Sequence, residues 1–339
     1  FIVAARELGD RQMAVVILAV VVGIVASAAW RIGGKVLRNW ALAAIAVAAF
    51  FSLAVFEIPF PIVIIAAGII GWMGGHARPR WFAAAGTPGR PGREHEPALI
   101  DDDSPVPEHA RHSQRRLVII AAPGLLLWAL AMALLKAAAT PNDTTTAMGW
   151  FFTKAALLTF GGAYAVLPYV YQGAVEQYRW LTPGQMIDGL ALGETTPGPL
   201  IMVVTFVGFV GAWAHANGLP PLASALIGGF AATYFTFLPS FLFIFAGAPL
   251  VEATRGNIKF TSPLTAITAA VVGVIANLAL FFAYHVFWPS GLKAGFDGVS
   301  LLLFAGAFAA LAWFKAGPVS LVAAGAVLGV ALHFSPWGQ

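Results

Sequence analysis

Glycine and proline residues that disrupt helices occur within an apolar stretch of the chain. The stretch FFTKAALLTFGGAYAVLPYV (151–170) carries Lys154 early in an apolar run, Gly161-Gly162 in its middle and Pro168 near its end. Adjacent glycines and a proline loosen a helix and expose backbone N–H and C=O groups, which lipid cannot satisfy. We therefore expect this backbone to lie inside the protein or to line a wet cavity. Close packing of another helix on Gly161-Gly162 is the alternative.

A second break occurs in GETTPGPLIMVVTFVGFVGAW (193–213), where Thr195 and Thr196 precede Pro197-Gly198-Pro199. Proline disrupts a helix that arrives from its N-terminal side but suits the first turn of a new helix. The pattern predicts two helical pieces, 183–195 and 199–213. The second piece would begin with unpaired N–H groups and a positive dipole end, which bind anions, and the threonine hydroxyls add donors. A helix start at the membrane surface is an equally good interpretation.

Charged residues near the two breaks are candidates to act on an anion or on protons. Lys154 either serves the pathway or extends to the outer interface. Asp188 and Glu194 are six residues apart, so they fall on different faces of one helix. Each is a candidate to pair with Arg179 or to carry protons, although a solvated helix end explains Asp188 more simply. Glu194 lies beside the break and is the better candidate for coupling.

Other polar residues give weaker signals. Asn277 lies inside an apolar run, where hydrogen-bonded helix packing explains it. His215, His285 and His333 stand singly near predicted helix ends and lack metal-ligand spacing. We therefore predict no metal site, no catalytic residue and no cofactor.

The composition is that of a membrane protein. Hydrophobic residues make up 59% of the chain, charged residues make up 10%, and the mean hydropathy is +0.82, whereas a soluble domain carries about 25% charged residues. Continuous apolar runs of about 20 residues recur, which is the length of a helical span and not the alternation of a transmembrane barrel. The predicted fold class is an all-α polytopic membrane protein. The absence of cysteine excludes disulfide and thiolate–metal chemistry.

The net charge of +4 is typical of basic cytoplasmic loops and does not indicate nucleic-acid binding. Arg31, Lys35 and Arg38 lie between the first two helices, and an Arg-rich stretch, 76–116, follows two spans later. The positive-inside rule places both in the cytoplasm. Because 76–116 is also rich in proline and acidic residues, we predict a flexible linker there.

We predict ten membrane segments, of which 197–214 is short and either crosses the membrane or dips in and returns. The segments are 13–30, 39–56, 60–75, 117–138, 149–171, 197–214, 221–247, 263–288, 299–314 and 317–334.

A repeat relates the first three segments to the last three. VVVGIVAS (20–27) matches AVVGVIAN (270–277). The spacing of Pro61 from Ala66-Ala67-Gly68 recurs at Pro318 and Ala323-Ala324-Gly325. If every segment spans the membrane, the two halves are oriented oppositely, as in transporters that are built from inverted repeats with broken helices. If 197–214 is re-entrant, the predicted orientation of the second half reverses.

The repeat predicts three regions in the chain. Residues 1–75 are the end of a first repeat, 76–116 are the linker, and 117–339 are a complete second repeat. Since Phe1 falls near the counterpart of residue 250, we expect an N-terminally truncated first half whose missing part would resemble 140–250.

The motifs together closely resemble the chromate ion transporter (CHR) family, long-chain type. The resemblance rests on TFGGAYAVLPYV (159–170), YRWLTPGQMIDGLALGETTPGPLIMVVTFVGF (178–209) and GNIKFTSPLTAITAAVVGVIANLA (256–279). It implies a multi-pass carrier of the bacterial inner membrane that exports chromate and confers chromate resistance. Sulfate is the related anion that the resemblance implies, and protons or sulfate are the candidate coupling ions.

Residue roles follow from this resemblance. For substrate binding and translocation it gives Lys154, Thr159, Phe160, Gly161, Gly162, Glu194, Thr195, Thr196, Pro197, Gly198 and Pro199. Candidates for coupling or support are Asp188, Arg179, Thr205 and Asn277, and Pro168 is a further motif position. Two departures are that this sequence lacks the motif region of the first half and that Thr205 replaces a glutamine of many long members.

The predicted function is therefore a secondary transporter of a tetrahedral dianion, with chromate as the leading substrate. Main-chain N–H groups, hydroxyls and Lys154 would hold the anion, and alternating access would release it. Sulfate or another oxyanion carrier stays open, as does an anion channel. An enzyme is not expected because hydrolase motifs and a paired intramembrane aspartate site are absent from the sequence. The expected partners are chromate or sulfate, protons, the lipid bilayer and, as a candidate, a second copy in a homodimer.

Overall fold

The computed structural model describes residues 11–82, 114–138, 144–159, 163–195, 200–216, 218–253, 258–289, 291, 295–314 and 316–333. In these residues all regular structure is helical. The α-helices are α1 (Arg11–Val36), α2 (Trp40–Ala54), α3 (Phe60–Ala77), α4 (Gln114–Ala138), α5 (Thr144–Leu157), α6 (Ala163–Tyr171), α7 (Pro183–Thr195), α8 (Val203–Ala214), α9 (Pro221–Ala253), α10 (Ile258–Phe287), α11 (Gly298–Ala312) and α12 (Pro318–His333).

Five of the described helices are long and apolar enough to cross a membrane, namely α1, α3, α4, α9 and α10. The helices α2, α11 and α12 are apolar but shorter, at 15, 15 and 16 residues. Large apolar side chains such as Leu126 on α4 and Phe230 on α9 are exposed, which suits a surface that contacts lipid. The prediction of an all-α polytopic membrane protein is confirmed.

The repeat-bearing helices α1 and α10 occupy the centre and pack reciprocally. The most extensive contacts of α1 are with α11, α10 and α12, and those of α10 are with α3, α2 and α1. Glycines at matching repeat positions allow the close approach, because Gly23 lies against Ala307 of α11 and Gly273 against Ala46 of α2. Helix α1 therefore packs on the two helices that follow α10, and α10 packs on the two helices that follow α1.

The contacts also define two sides of the molecule. At one side, called the basic side, Lys35 lies in the last turn of α1 and Arg38 follows that helix. The first part of α10 lies nearby, since Leu37 packs against the buried cluster that contains Ala266. At the other side, called the acidic side, Glu57 lies between α2 and α3. Because α1 ends at the basic side and α10 ends at the acidic side, the two repeat helices run antiparallel.

Two pairs of short helices do not cross between these sides. In the first hairpin, α5 and α6 run antiparallel, with Phe151 stacked on Tyr169 at 4.9 Å between ring centroids. In the second hairpin, α7 and α8 run antiparallel, with Gly189 against Phe206 and Trp180 against Gly211. The helices α5 and α7 have 14 and 13 residues, which makes them about 20 Å long, whereas the hydrocarbon core is about 30 Å thick.

Both hairpins have their bases at the acidic side. After α6 the chain continues as a π-helix, Gln172–Gln177, and the Gln172 side chain accepts a hydrogen bond from the backbone N–H of Phe60 at the start of α3. Since α3 begins at the acidic side, this bond fixes the base of the first hairpin there. Trp180 contacts both Phe151 and Gly211, so it joins the bases of the two hairpins.

The prediction of one helix over 149–171 is wrong, because the chain forms α5 and α6 and turns back between them. The piece 183–195 is confirmed as α7, while the predicted helix 197–214 begins as a 3-10 turn at Leu200–Met202 and becomes α-helical at Val203. The antiparallel packing of α7 and α8 favours the alternative that dips in and returns, which stays a prediction. Continuous apolarity fits a span and a re-entrant hairpin equally well, so the pattern could not separate them.

The predicted linker 76–116 also needs correction at its start. Helix α3 extends to Ala77, the 3-10 turn Pro79–Trp81 follows, and the carbonyl of Trp81 accepts a hydrogen bond from Asn39 at 2.8 Å. Residues 76–82 are therefore folded against the start of α2. Residues 83–113 lie outside the described residues.

Small residues allow the second hairpin to pack closely on α9. A methyl group added at Gly228 of α9 would overlap the carbonyl oxygen of Gly208 and the Cβ of Ala212, both on α8. At Gly247, in the same helix, an added methyl group would meet nothing within 4 Å. Gly247 is therefore a suitable control position for a substitution at Gly228.

We expect Gly228→Ala to destabilise the detergent-solubilised protein by about 1–3 kcal/mol, because α8 and α9 would have to separate. Gly247→Ala should leave stability unchanged or raise it by less than about 1 kcal/mol. Thermal unfolding of the two variants would measure the difference. Equal stability of both variants would contradict the close packing of α8 on α9.

Candidate functional site

The two hairpins meet at their inner ends. The hydroxyl of Tyr164, the second residue of α6, donates a hydrogen bond to Oε1 of Glu194 at 2.5 Å. Glu194 is the penultimate residue of α7 and is only 9% exposed. The segments 160–162 and 196–199, which contain the two predicted helix breaks, lie outside the described residues. The bond therefore joins the helix that follows the first break to the helix that precedes the second.

A positive charge from the first half of the chain faces this bonded pair. Helix α1 packs on α7, and the charge of Arg31 on α1 acts on both Tyr164 and Glu194. The guanidinium is always charged and has five N–H donors, so it can attract either the carboxylate or a bound anion. Glu194 and an anion at the hairpin ends would therefore compete for Arg31.

The backbone of α6 is irregular at two places after Tyr164. Pro168 has no N–H, so the carbonyl of Tyr164 lacks the donor that a regular helix would supply four residues later. The π-helix after Tyr171 widens the helix, with the N–H of Tyr178 bonded to the carbonyl of Gly173 at 2.8 Å. Irregularities of this kind are frequent at functional sites.

An aromatic cluster holds the bases of the hairpins. Tyr178 stacks on Trp180 at 4.5 Å between ring centroids, and Phe151 contacts both rings as well as Tyr169. Each such pair contributes about 0.5–1.5 kcal/mol beyond its buried area. Rigid bases restrict where the inner ends of the hairpins can lie.

Two predictions about the charged residues are wrong. Asp188 is 4% exposed in the middle of α7, so it is not a solvated residue at a helix end. Arg179 is exposed at the base of the second hairpin, where its φ of 53° marks a tight turn. Because about 20 Å of α7 separates this base from Glu194, Arg179 cannot be the partner of Glu194.

Lys154 and Thr159 lie at the inner end of the first hairpin. Lys154 is exposed in the last turn of α5 and not near the start of a span. Thr159 donates its hydroxyl hydrogen bond to the carbonyl of Ala155 at 2.6 Å. The remaining predicted positions lie outside the described residues, or have undescribed side chains, and their roles stay predictions: Phe160, Gly161, Gly162, Thr195, Thr196, Pro197, Gly198 and Pro199.

The two predicted support residues lie away from the Tyr164–Glu194 bond. Thr205 of α8 is hydrogen-bonded to Thr233 of α9 at 2.6 Å, so it joins two helices. Asn277 of α10 lines a cavity at the acidic side together with Gln172 and Glu176. Thr205 therefore has the role of a hydrogen bond between packed helices, whereas Asn277 lines a cavity.

Sequence reasoning missed two residues of the site. Tyr164 belongs to the TFGGAYAVLP motif but stands between more conspicuous glycine and proline residues. Arg31 was interpreted only as a loop charge that sets orientation, since nothing in the chain order relates it to Glu194. The position of Tyr164, three residues after Gly161, was the only signal in the sequence that could have identified it. The sequence contains no signal that could have identified Arg31 as part of the site.

These features define a polytopic helical membrane protein with two helix hairpins joined at Tyr164 and Glu194. The family described as Chromate transporter matches residues 7–72 and 146–330 by its sequence profile, and the chain therefore belongs to that family. The match to both ends of the chain agrees with the repeat that relates α1–α3 to α10–α12.

Relatives with assigned names include the chromate transport protein of Pseudomonas aeruginosa, which is 40% identical over 38% of this chain and 28% of its own length. The chromate transport protein of Cupriavidus metallidurans is 33% identical over 40% of this chain and 31% of its own length. The uncharacterized transporter YwrA of Bacillus subtilis is 28% identical over 52% of this chain and 91% of its own length. The chain thus spans less than a third of the chromate transport proteins it matches. No solved structure matches it.

We expect Tyr164→Phe to lower the free energy of unfolding by about 2 kcal/mol, because it removes a hydrogen bond to a buried carboxylate. Tyr284→Phe is the control, since this tyrosine is exposed on α10, and it should change stability by less than about 0.5 kcal/mol. Thermal unfolding in detergent is the measurement. If the two variants lose the same stability, the bond does not hold the hairpins together.

Proposed function

We propose that this protein is a secondary transporter that exports chromate from the cytoplasm across the bacterial inner membrane, and so confers chromate resistance. The observation that carries the proposal is the Tyr164–Glu194 hydrogen bond, which brings the inner ends of two re-entrant hairpins together next to Arg31. Family membership and the printed names of the relatives support chromate as the anion.

The meeting point of the hairpins suits a tetrahedral dianion. Helix α6 begins there, at Ala163, and the 3-10 turn Leu200–Met202 that leads into α8 begins after the second break, so the proposal places backbone N–H groups of two chain segments near the same point. Arg31 adds a full positive charge, and Lys154 lies in the last turn of α5. Four anion oxygens need several donors, which no single helix end provides.

The orientation of the molecule is part of the proposal. The basic side carries Lys35 and Arg38 and is placed in the cytoplasm. The hairpins then enter from outside, and their inner ends lie about 20 Å deep, closer to the cytoplasm. The antiparallel course of α1 and α10 supports two inverted repeats, 1–75 and 117–339, joined by a linker within 76–116. Alternating access would move these repeats about the site.

The charges give a reason for proton coupling. An anion that binds Arg31 displaces Glu194 from its cationic neighbour, and a buried carboxylate without that neighbour is stabilised by taking up a proton. After the anion leaves on the outside, the attraction of Arg31 is restored and Glu194 releases the proton to the cytoplasm, so that proton entry accompanies anion export. Anion binding and proton binding would thus be linked through one guanidinium.

Transport of labelled chromate and sulfate into inverted membrane vesicles tests the proposal. We expect saturable chromate uptake and a loss of at least about tenfold in Glu194→Gln, because the neutral amide cannot exchange a proton during the cycle. Glu194→Asp should retain part of the rate. Faster sulfate flux would make the protein a sulfate carrier, and ohmic current without saturation would make it an anion channel.

The role of Arg31 has its own matched control. We expect Arg31→Gln to raise the KM for chromate about tenfold, because it removes a charge-assisted contact that contributes about 1.5–3 kcal/mol. Arg38→Gln removes the same charge from the same side, where the Arg38 side chain bonds the carbonyl of Lys35. The KM of that variant should stay within about twofold. A similar rise of the KM in both variants would show that Arg31 contributes only to the general surface charge and does not contact the anion.

A further inference from the structure

A polar cavity of about 480 Å³ lies at the acidic side, between the two halves of the chain. Its walls come from the end of α2, from α6 with its π-helix, and from α10. Asn277 and Gln172 line it, together with Glu57 and Glu176, which are both exposed. Polar groups on several walls suit a water-filled space, because water needs two to four polar partners.

The charge of this cavity is opposite to that of the Arg31 end. Glu57 and Glu176 act on each other electrostatically, and Glu176 also acts on the hydroxyl of Tyr171, which lines the cavity. Two carboxylates around one opening attract cations and repel a dianion. The cavity therefore suits passage of a positive species better than passage of chromate.

One face of α6 connects the cavity to Glu194. Tyr164, Pro168 and Tyr171 are spaced at i, i+4 and i+7, so they lie on one face of the helix. Pro168 and Tyr171 line the cavity, while Tyr164 bonds Glu194 one turn further in. The cavity thus ends about 6 Å along the helix axis from the carboxylate partner.

We propose that the polar cavity is an outward-facing, water-filled vestibule that conducts protons to Glu194 and excludes the transported anion. The inference rests on the proposed function in that Glu194 is the coupling carboxylate. A hydronium ion in the vestibule gives its proton to the Glu194 carboxylate, directly or through water, and leaves a neutral carboxylic acid and a water molecule. The anion follows a separate route on the side of Arg31.

The absence of cysteine from the chain allows single thiols to be placed in the cavity without any background reaction. Asn277→Cys is labelled in right-side-out vesicles with two membrane-impermeant methanethiosulfonates, one bearing a trimethylammonium group and one a sulfonate. Leu219→Cys is the control for open water at the acidic side, and Val47→Cys is the control for a lipid-facing position, since both residues are exposed.

We expect the cationic reagent to modify Asn277→Cys about tenfold faster than the anionic one, after normalisation to Leu219→Cys. Adding Glu57→Gln and Glu176→Gln should reduce this preference to about twofold or less. Val47→Cys should react with neither reagent. An unreactive Asn277→Cys would show a dry cavity, and faster anionic labelling or protection by external chromate would make it the anion route; each result overturns the proposal.

Transport by Ala54→Leu gives a second readout. Ala54 lines the cavity but belongs to no part of the anion site, and the larger side chain narrows the vestibule. In proteoliposomes with an internal pH dye, we expect chromate-driven proton movement to slow about fivefold while chromate–chromate exchange is unchanged. An equal fall in both rates would assign the cavity to the anion. Because thiol labelling needs no flux, failure of the vestibule and failure of chromate transport are separable.

Discussion

The hydrogen bond between Tyr164 and Glu194 is the contact on which the rest of the second half depends. It joins two helices that are too short to cross a hydrocarbon core, where every backbone polar group needs a partner because no lipid group can replace water. Two hairpins that met only lipid at their inner ends could not persist. Their convergence gives the two inner ends a polar partner within the protein, and the charge of Arg31 on α1 acts on the same pair.

Much of the fold can be predicted from the apolar runs and from the glycine and proline residues that interrupt them. The recurring apolar runs establish the helical membrane class, and VVVGIVAS with AVVGVIAN identifies α1 and α10 as related helices. The glycine pair and the Thr-Pro-Gly-Pro stretch mark where helices stop. Whether the chain then continues or turns back depends on contacts such as Phe151 with Tyr169 and Gly189 with Phe206. Those contacts join residues that are far apart in the chain. The local periodicity of hydrophobic residues therefore cannot predict them.

Part of the candidate site could also be predicted from the sequence. Glu194 is conspicuous because it is a carboxylate beside a helix break, and the family resemblance adds its neighbours. Arg31 could not be found, since it reaches Glu194 only through the packing of α1 on α7. Arg179 was the wrong partner for a related reason: closeness in sequence to α7 places it at the opposite end of a helix about 20 Å long.

The reciprocal packing of α1 and α10 has a consequence for the order in which the molecule can assemble. Gly23 and Gly273 allow α1 to pack on α11 and α12 and α10 to pack on α2 and α3. Neither helix can therefore complete its packing until segments from both ends of the chain are present.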